Sequence, residues 1–191
     1  DGEELRRSYS VCSGCDDREL RVAVKKVATG RFSIWVNEQL KPGDVIDVMT
    51  PEGRFFTPLA PEHEKHYVAF ASGSGITPVL SLIRTALARE PRSRFTLVYG
   101  NRRQSSVMFH EALEDVKDRY LTRFRLYNVF SREEQDIELF NGRIDAAKVR
   151  QFLDALIPAD TIDEAFVCGP ASMIDEVEQA LLDGGVSRDH V

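Results

Sequence analysis

Cysteine is scarce: Cys12, Cys15 and Cys168 are the only three in 191 residues. An odd, sparse set builds no disulfide framework, so a reducing cytoplasm is the expected setting. Cys12 and Cys15 form one CxxC, but no second pair exists, and a structural zinc or a [2Fe–2S] cluster normally takes four ligands. The pair follows the strand-like YSV and precedes a polar turn, so it reads as two incidental thiols. Histidine is equally thin. His63 and His66 lie among Glu62, Glu64 and Lys65, a solvated connection in pattern, and no metal site is expected. No apolar run is long enough to cross a bilayer, and no signal-peptide pattern opens the chain, so no membrane partner is expected. Charge comes in no block of one sign, and the net charge of −6 argues against nucleic acid as a partner. Repeats and low-complexity tracts are absent. What remains, 42% hydrophobic and 29% charged residues, describes an ordinary globular chain of one large or two small domains.

The most informative stretch is His66 to Pro78, HYVAFASGSGITP. Tyr67 to Ala71 is an apolar run of one buried strand. Ser72, Gly73, Ser74 and Gly75 follow at once, then Thr77 and Pro78. Val79, Leu82, Ile83, Ala86 and Leu87 then recur at helical spacing, and Pro78 suits the first turn of that helix, where a missing N–H costs nothing. The order strand, glycine turn, helix puts free backbone N–H groups and the positive helix end beside a turn without bulk. A phosphate or the nicotinamide end of a dinucleotide can approach there. Read alone, the stretch is equally a tight strand-to-helix turn.

The rest of the chain divides in two, with the division expected at residues 1–60 and 61–191. In the first part Leu5 to Cys12, Leu20 to Val27 and Val45 to Met49 read as short strands, Phe32 to Leu40 as one short helix, and frequent turns predict a small antiparallel β-barrel. Asp1-Gly2 is a hairpin-turn dipeptide with nothing before it, so the barrel reads as incomplete at its N-terminus. In the second part, strands at 67–71, 94–99, 123–130 and 164–168 alternate with helices after Pro78 and at 107–120, 145–156 and 171–183. Four strand–helix units predict an α/β domain with a parallel sheet and helices on both faces. Ligands of such sheets bind at the carboxyl ends of the strands, here Ser72 to Thr77, Gly100 to Arg103, Ser131-Arg132 and Cys168 to Pro170.

Two segments of the first part carry matching chemistry. In Arg7-Ser8-Tyr9-Ser10, period two puts Arg7 and Tyr9 on one strand face and Ser8 and Ser10 on the other. An arginine fork can hold a pyrophosphate, an aromatic ring can cover a flat heterocycle, and a serine can hydrogen-bond a ring nitrogen. Gly30-Arg31-Phe32-Ser33 opens a helix whose N–H groups, with the Ser33 hydroxyl, can hold a second phosphate contact, although an N-cap serine reads the same way.

In this order, RSYS at 7–10, AVK at 23–25, GRFS at 30–33, GSGITP at 73–78, YGNR at 99–102, FSRE at 130–133 and CGP at 168–170 resemble the ferredoxin–NADP reductase superfamily. The resemblance implies FAD and NADP(H) as cofactors. Arg7 and the 30–33 turn would hold the FAD pyrophosphate, Tyr9 would pack on the isoalloxazine, and Ser10 would lie near its N5. Ala23, Val24 and Lys25 would line the flavin. Gly73 to Thr77 and Cys168, Gly169 and Pro170 would seat the nicotinamide, which gives a hydride to the flavin. Cys168 would be a small, soft neighbour of that ring and not a nucleophile. Arg102 closes the second strand without the acidic residue common in NAD sites. Ser131, Arg132 and Arg143 match the positions that hold a 2′-phosphate, so NADPH is the expected donor. Asp145 stands where some relatives carry an adenine-stacking tyrosine.

A closer likeness within the superfamily runs through DGEELRRSYSVCS, AVKKVATGRFS, NGRID and EAFVCGPASM. It is to the reductases of bacterial phenylacetyl-CoA epoxidase systems. It implies electron transfer through a plant-type [2Fe–2S] domain, expected beyond Val191, to an oxygenase component in phenylacetate degradation. The chain thus reads as a fragment of a longer protein. The alternatives are the reductase module of another system, a flavohaemoglobin or a ring-hydroxylating dioxygenase, or a non-catalytic flavin-binding docking module.

Overall fold

The computed structural model describes residues 4–191, and the Asp1-Gly2 turn falls outside them. Its centre is a four-stranded parallel sheet: β1 His66–Ser72, β2 Arg94–Asn101, β3 Phe124–Phe130 and β4 Glu164–Cys168, in the order β3-β2-β1-β4. α1 spans Arg31–Glu38, α2 Ile76–Arg89, α3 His110–Arg119, α4 Ala146–Ala155 and α5 Ala171–Asp183. β1 and β2 are buried through their middles because both sheet faces are covered, while the edge strand β3 carries Arg125 and Asn128. Tyr67, Ala69, Ala71, Leu97 and Tyr99 pack in one core with residues of α2 and α3. Val68, Phe70, Val98 and Val129 pack in a second with Val149, Phe152, Val177 and Leu181 of α4 and α5. The strand order reverses at β1, with β2 and β3 on one side and β4 on the other. The crevice between the carboxyl ends of β1 and β4 is therefore the expected ligand position.

Helix boundaries follow their caps. Asp145 accepts a hydrogen bond from the Lys148 N–H at 2.8 Å and opens α4. The Arg123 guanidinium donates to the carbonyls of Leu87, Glu90 and Ser93 at 2.9–3.0 Å, which closes the far end of α2. The helix predicted over 107–120 is shorter, because Gln104–Ser106 form a 3₁₀ turn and Phe109 adopts φ +59 at the N-cap.

The first part differs more. The strands expected at 5–12, 20–27 and 45–49 run without regular pairing, and a single antiparallel bridge, Val11 to Val22, joins two of them. Val45 and Val48 are 92% and 77% exposed, since a strand with no neighbour completes no ladder. The helix expected at 32–40 runs over Arg31–Glu38.

Two groups of polar contacts help to join the first part to the sheet. The Ser13–Asp17 loop grips the outer face of α2. Ser81 Oγ donates to the Ser13 carbonyl at 2.7 Å, the Cys15 N–H donates to Thr85 Oγ1 at 3.1 Å, and Arg84 and Arg89 pair with Asp17 and Asp16. A Cβ on Gly14 would sit 2.9 Å from the Cβ of Arg84, so the loop lies flat on the helix. The second group surrounds Glu90, fully buried just past α2. Its carboxylate accepts from the Ala60 N–H (3.0 Å), His63 Nδ1 (2.7 Å), Tyr67 OH (2.9 Å) and Ser93 Oγ (2.6 Å). Burial pushes this carboxyl upward, but the four hydrogen bonds outweigh burial and hold it below the usual carboxylate range. The polar connection at 58–65 is thus tied down by one buried charge.

His66 opens β1 and is 6% exposed. Nε2 lies 2.9 Å from Thr96 Oγ1, and Nδ1 lies 3.1 Å from the Thr161 carbonyl. Burial, helped by the Arg94 guanidinium, lowers its pKa from 6.5 to about 4. The unfolded chain therefore takes up a proton below pH 6.5 that the fold refuses until about pH 4. The contribution to stability is complete above pH 6.5 and is lost as pH falls toward 4, by about 3 kcal/mol in all. Urea unfolding of wild type and His66→Gln at pH 7, 5.5 and 4 tests this. The wild type is expected to lose more stability than the variant across that window, and parallel losses would remove His66 as the cause.

Candidate functional site

α1 starts where it does because Gly30 precedes it: a Cβ there would lie 2.4 Å from Ser33 Oγ. Ser33 Oγ accepts from the Val27 N–H and donates to the Gly30 carbonyl, both at 3.2 Å, which folds 27–33 into a closed turn. Its hydroxyl is therefore committed internally. What the turn offers an anion is the backbone N–H groups of the first helical turn, Phe32 and Ser33 among them, which no earlier carbonyl of the helix can reach. Asn37 Nδ2 reaches back to the Val24 carbonyl at 3.1 Å and holds segment 23–25 against α1.

Between these segments opens a cleft of about 550 Å³. Arg7, Ser8, Tyr9 and Ser10 form one wall, Ala23 and Lys25 the floor, and Gly30, Arg31, Phe32 and Ser33 the opposite wall. Ser74 and Thr77, from the glycine turn and the start of α2, close the end nearest the sheet. The two-face reading of 7–10 does not hold, since all four residues reach the cleft; the segment is not part of a regular strand. Val24 is not part of the lining. The Tyr9 ring stacks on Phe32 with centroids 5.7 Å apart, and Phe32 in turn meets Trp35 at 5.7 Å, so one end of the cleft is an aromatic shelf.

The glycine turn is fixed residue by residue. Gly73 has φ +54, a left-handed conformation that favours glycine. Tyr99 OH donates to the Gly73 carbonyl at 2.8 Å, and Thr77 Oγ1 donates to the Ser74 carbonyl at 2.8 Å. A Cβ on Gly75 would lie 2.1 Å from the Cys168 carbonyl oxygen, and one on Gly169 would lie 2.9 Å from Met173 Sδ and 3.3 Å from the Cβ of Ser72. The turns after β1 and β4 therefore touch backbone to backbone, with Ser72 beside Gly169 and Pro170 capping α5. Cys168 pairs with Ala71 across the sheet, and burial pushes its thiol pKa upward, so it stays protonated at neutral pH.

At the carboxyl edge the arginines fall on the segments that follow β2 and β3. The Ser131 and Arg132 N–H groups donate to the carbonyls of Asn101 and Arg102 at 3.0 and 2.9 Å, which extends the β2–β3 pairing by two residues. Asn141 bridges Phe130, and Gly142, at φ +99, turns Arg143 out on the far side of β3. Arg102, Arg132 and Arg143 are exposed. Asp145, where a stacking aromatic is absent, is committed to capping α4.

Sequence reading did not find the α2-gripping loop or the Tyr99 hydroxyl bond. The loop has no motif, and YGNR signals a strand end without saying what its tyrosine touches.

This is the two-part arrangement of flavin-dependent pyridine-nucleotide reductases: a polar cleft with a helix N-terminus and cations, opening onto the switch point of a parallel nucleotide-binding sheet. The chain belongs to the FAD/NAD-binding oxidoreductases of the ferredoxin–NADP reductase type, matching the oxidoreductase NAD-binding domain family over residues 70–179 and the oxidoreductase FAD-binding domain family over residues 1–57. It is 48% identical over 95% of its length to one component of the 1,2-phenylacetyl-CoA epoxidase of Escherichia coli, and covers 51% of that protein. It is 33% identical over 98% of its length to the ferredoxin reductase component of the 3-ketosteroid-9-alpha-monooxygenase of Rhodococcus rhodochrous, covering 49% of it. The chain thus spans about half the length of these curated relatives. In fold it is similar to the Amycolatopsis cytochrome P450 reductase GcoB, with a TM-score of 0.83 at 24% identity over 99% of this chain and 56% of that one. Among the described residues no helix is long and apolar enough to cross a membrane.

The residues of the cleft fit FAD. Arg7, Lys25 and Arg31 supply positive charge for a diphosphate, the Gly30 turn opens a helix end without a Cβ in the way, and the Tyr9 shelf offers a flat apolar surface.

Proposed function

We propose that this chain is the flavin- and nucleotide-binding part of the reductase of a phenylacetyl-CoA epoxidase system, and that it takes its electrons from NADPH. The division between its two parts falls between residues 60 and 61. The observation that carries the reading is the meeting of the RSYS–GRFS cleft with the GSG turn through Ser74 and Thr77. Bound there, FAD supplies hydride acceptance from the nicotinamide and one-electron delivery onward.

The chain's own work is binding and alignment. Arg7 and Arg31, with the amides of the α1 first turn, hold the diphosphate. Tyr9 covers the ring system, Ala23 and Lys25 line it, and Ser10 donates a hydrogen bond to its reacting edge. Gly73, Ser74, Gly75 and Thr77 with Cys168, Gly169 and Pro170 seat the nicotinamide in a crevice too narrow for a side chain at residue 75. A protonated Cys168 adds bulk and no charge there. Juxtaposition of the two rings, and not acid–base chemistry, is what the protein contributes. Arg102, Ser131, Arg132 and Arg143 hold a 2′-phosphate. The fit of charge favours it: the Arg132 N–H donates to the Arg102 carbonyl at 2.9 Å, which brings the two arginines to adjoining strand ends. Onward transfer runs to a [2Fe–2S] domain and an oxygenase component in the cytoplasm; the 48% identical relative's name, an epoxidase subunit, supports the oxygenase component.

Anaerobic stopped-flow absorbance of the FAD-loaded protein tests the reading. NADPH is expected to bleach the oxidised-flavin band quickly and NADH slowly. Arg132→Ala is expected to raise the half-saturating NADPH concentration about tenfold, the size of one lost charge-assisted contact, and leave that of NADH nearly unchanged. Equal effects on both nucleotides would defeat the 2′-phosphate assignment. FAD binding without reduction by either nucleotide would favour a docking module.

A further inference from the structure

Tyr99 is completely buried, and its hydroxyl takes no part in the function proposed above. The hydroxyl nonetheless sits at a junction. It donates to the Gly73 carbonyl at 2.8 Å, and the Asn101 side chain and the Met108 N–H lie close enough to its oxygen to act on its ionisation. Burial dominates and moves its pKa up to about 12, so at working pH it is a neutral donor. The three neighbours belong to three different tips. Gly73 begins the nicotinamide turn after β1. Asn101 ends β2, its carbonyl accepts from Ser131, and it immediately precedes Arg102. Met108 leads into α3 beside Phe109, the only residue other than glycine with positive φ among the described residues. Asn101 Nδ2 is itself buried without a hydrogen-bond partner.

We infer that the Tyr99 hydroxyl is a positioning group that locks the nicotinamide turn to the arginine-bearing tip of β2, so that the two ends of the dinucleotide site are held in register by one buried oxygen. The inference rests on the reductase reading above. Its physical basis is the planarity of the peptide bond. Fixing the direction of the Gly73 carbonyl fixes the plane of the 73–74 peptide, and with it the Ser74 N–H on the opposite side. Gly73 is free of Cβ restraint and already at positive φ, so it has little of its own to prevent that plane from turning. Thr77 holds the next carbonyl and the Cys168 backbone blocks Gly75. At the first residue of the turn, Tyr99 supplies a restraint that comes from β2. The Gly73 carbonyl also accepts the Ile76 N–H, so loss of the hydroxyl loosens the turn without leaving that carbonyl unsatisfied.

The test is Tyr99→Phe, which keeps the ring in the core, compared with Tyr67→Phe, which removes a buried hydroxyl at the opposite end of the same strands. In FAD-loaded protein, Tyr99→Phe is expected to lower the limiting rate of flavin reduction by NADPH and by NADH alike, about fivefold, the scale of one hydrogen bond. Tyr67→Phe is expected to lower the melting temperature and leave that rate unchanged. In nucleotide-free protein, hydrogen exchange followed by mass spectrometry is expected to rise in peptides covering 72–76 and 100–109 in Tyr99→Phe, and to stay unchanged along the rest of α2. Unaltered exchange in those peptides, or an unaltered limiting rate with normal wild-type reduction, would overturn the inference. Absence of nucleotide-driven reduction in the wild type would instead overturn the reductase reading, and the exchange result would still judge the lock.

Discussion

Gly75→Ala is expected to slow flavin reduction by about a hundredfold while leaving FAD bound. The added methyl would sit 2.1 Å from the Cys168 carbonyl oxygen and 2.6 Å from its carbon. Both are backbone atoms, held by the β1–β4 pairing at Ala71 and Cys168, and cannot swing aside as a flexible side chain would. The two turns must separate by more than ~1 Å to reach ordinary contact, and a misplacement of about 1 Å at the reacting centre already costs about two powers of ten in rate. The cleft wall at 7–10 and the α1 turn are untouched. The expected signature is therefore normal flavin absorbance with a collapsed stopped-flow rate. Reduction within threefold of wild type would show that the nicotinamide does not use the crevice between these turns.

Glu90→Ala is expected to destabilise the fold by about 3–5 kcal/mol, the cost of stripping the partner from a set of buried polar groups. Ala60 N–H, His63, Tyr67 and Ser93 would all lose their acceptor at once. Burial leaves no room for bulk water to replace it, since Glu90 has no exposed surface. Glu90→Gln keeps the shape but turns an NH₂ group toward donors, so it is expected to fall between wild type and alanine. Urea unfolding by circular dichroism reads the difference, and a loss below 1 kcal/mol for Glu90→Ala would show that the network is incidental.

The legible parts of the sequence are those whose signals are local. β4 at Glu164–Cys168 and α5 at Ala171–Asp183 lie where the apolar run, the Gly169-Pro170 turn and the helical spacing place them. The GSG turn was readable because glycines between an apolar run and a helical pattern mark a turn, and the Cys168 backbone supplies a steric reason for Gly75. Phe109 was not: an aromatic residue in a left-handed conformation has no sequence signal, and the helix predicted from 107 starts at 110. The extended segments at 5–12 and 45–49 satisfied strand propensity, but a ladder is a property of pairs, and among the described residues of the first part only Val11 and Val22 meet. At the site, Arg7 to Ser10 and Gly30 to Ser33 line one cleft. The Ser33 hydroxyl does not play the part expected of it, because closing the turn to Val27 uses it first. The Ser13–Asp17 loop escaped because its partners lie about seventy residues away, as Cys15 and Thr85 do.

That loop has a consequence for chimeras. Flavin reductases invite exchange of halves at the connecting segment, on the assumption that each half carries its own surface. Here Ser81, Arg84, Thr85 and Arg89, all on one helix of the nucleotide half, form the seat for residues 13–17 of the other half. A foreign flavin half joined at residue 60 would meet arginines with no acids opposite and a helix surface that admits only a glycine at position 14. The transplantable module is therefore the flavin half together with the outward face of α2, and a swap that carries those four side chains across is the one expected to couple.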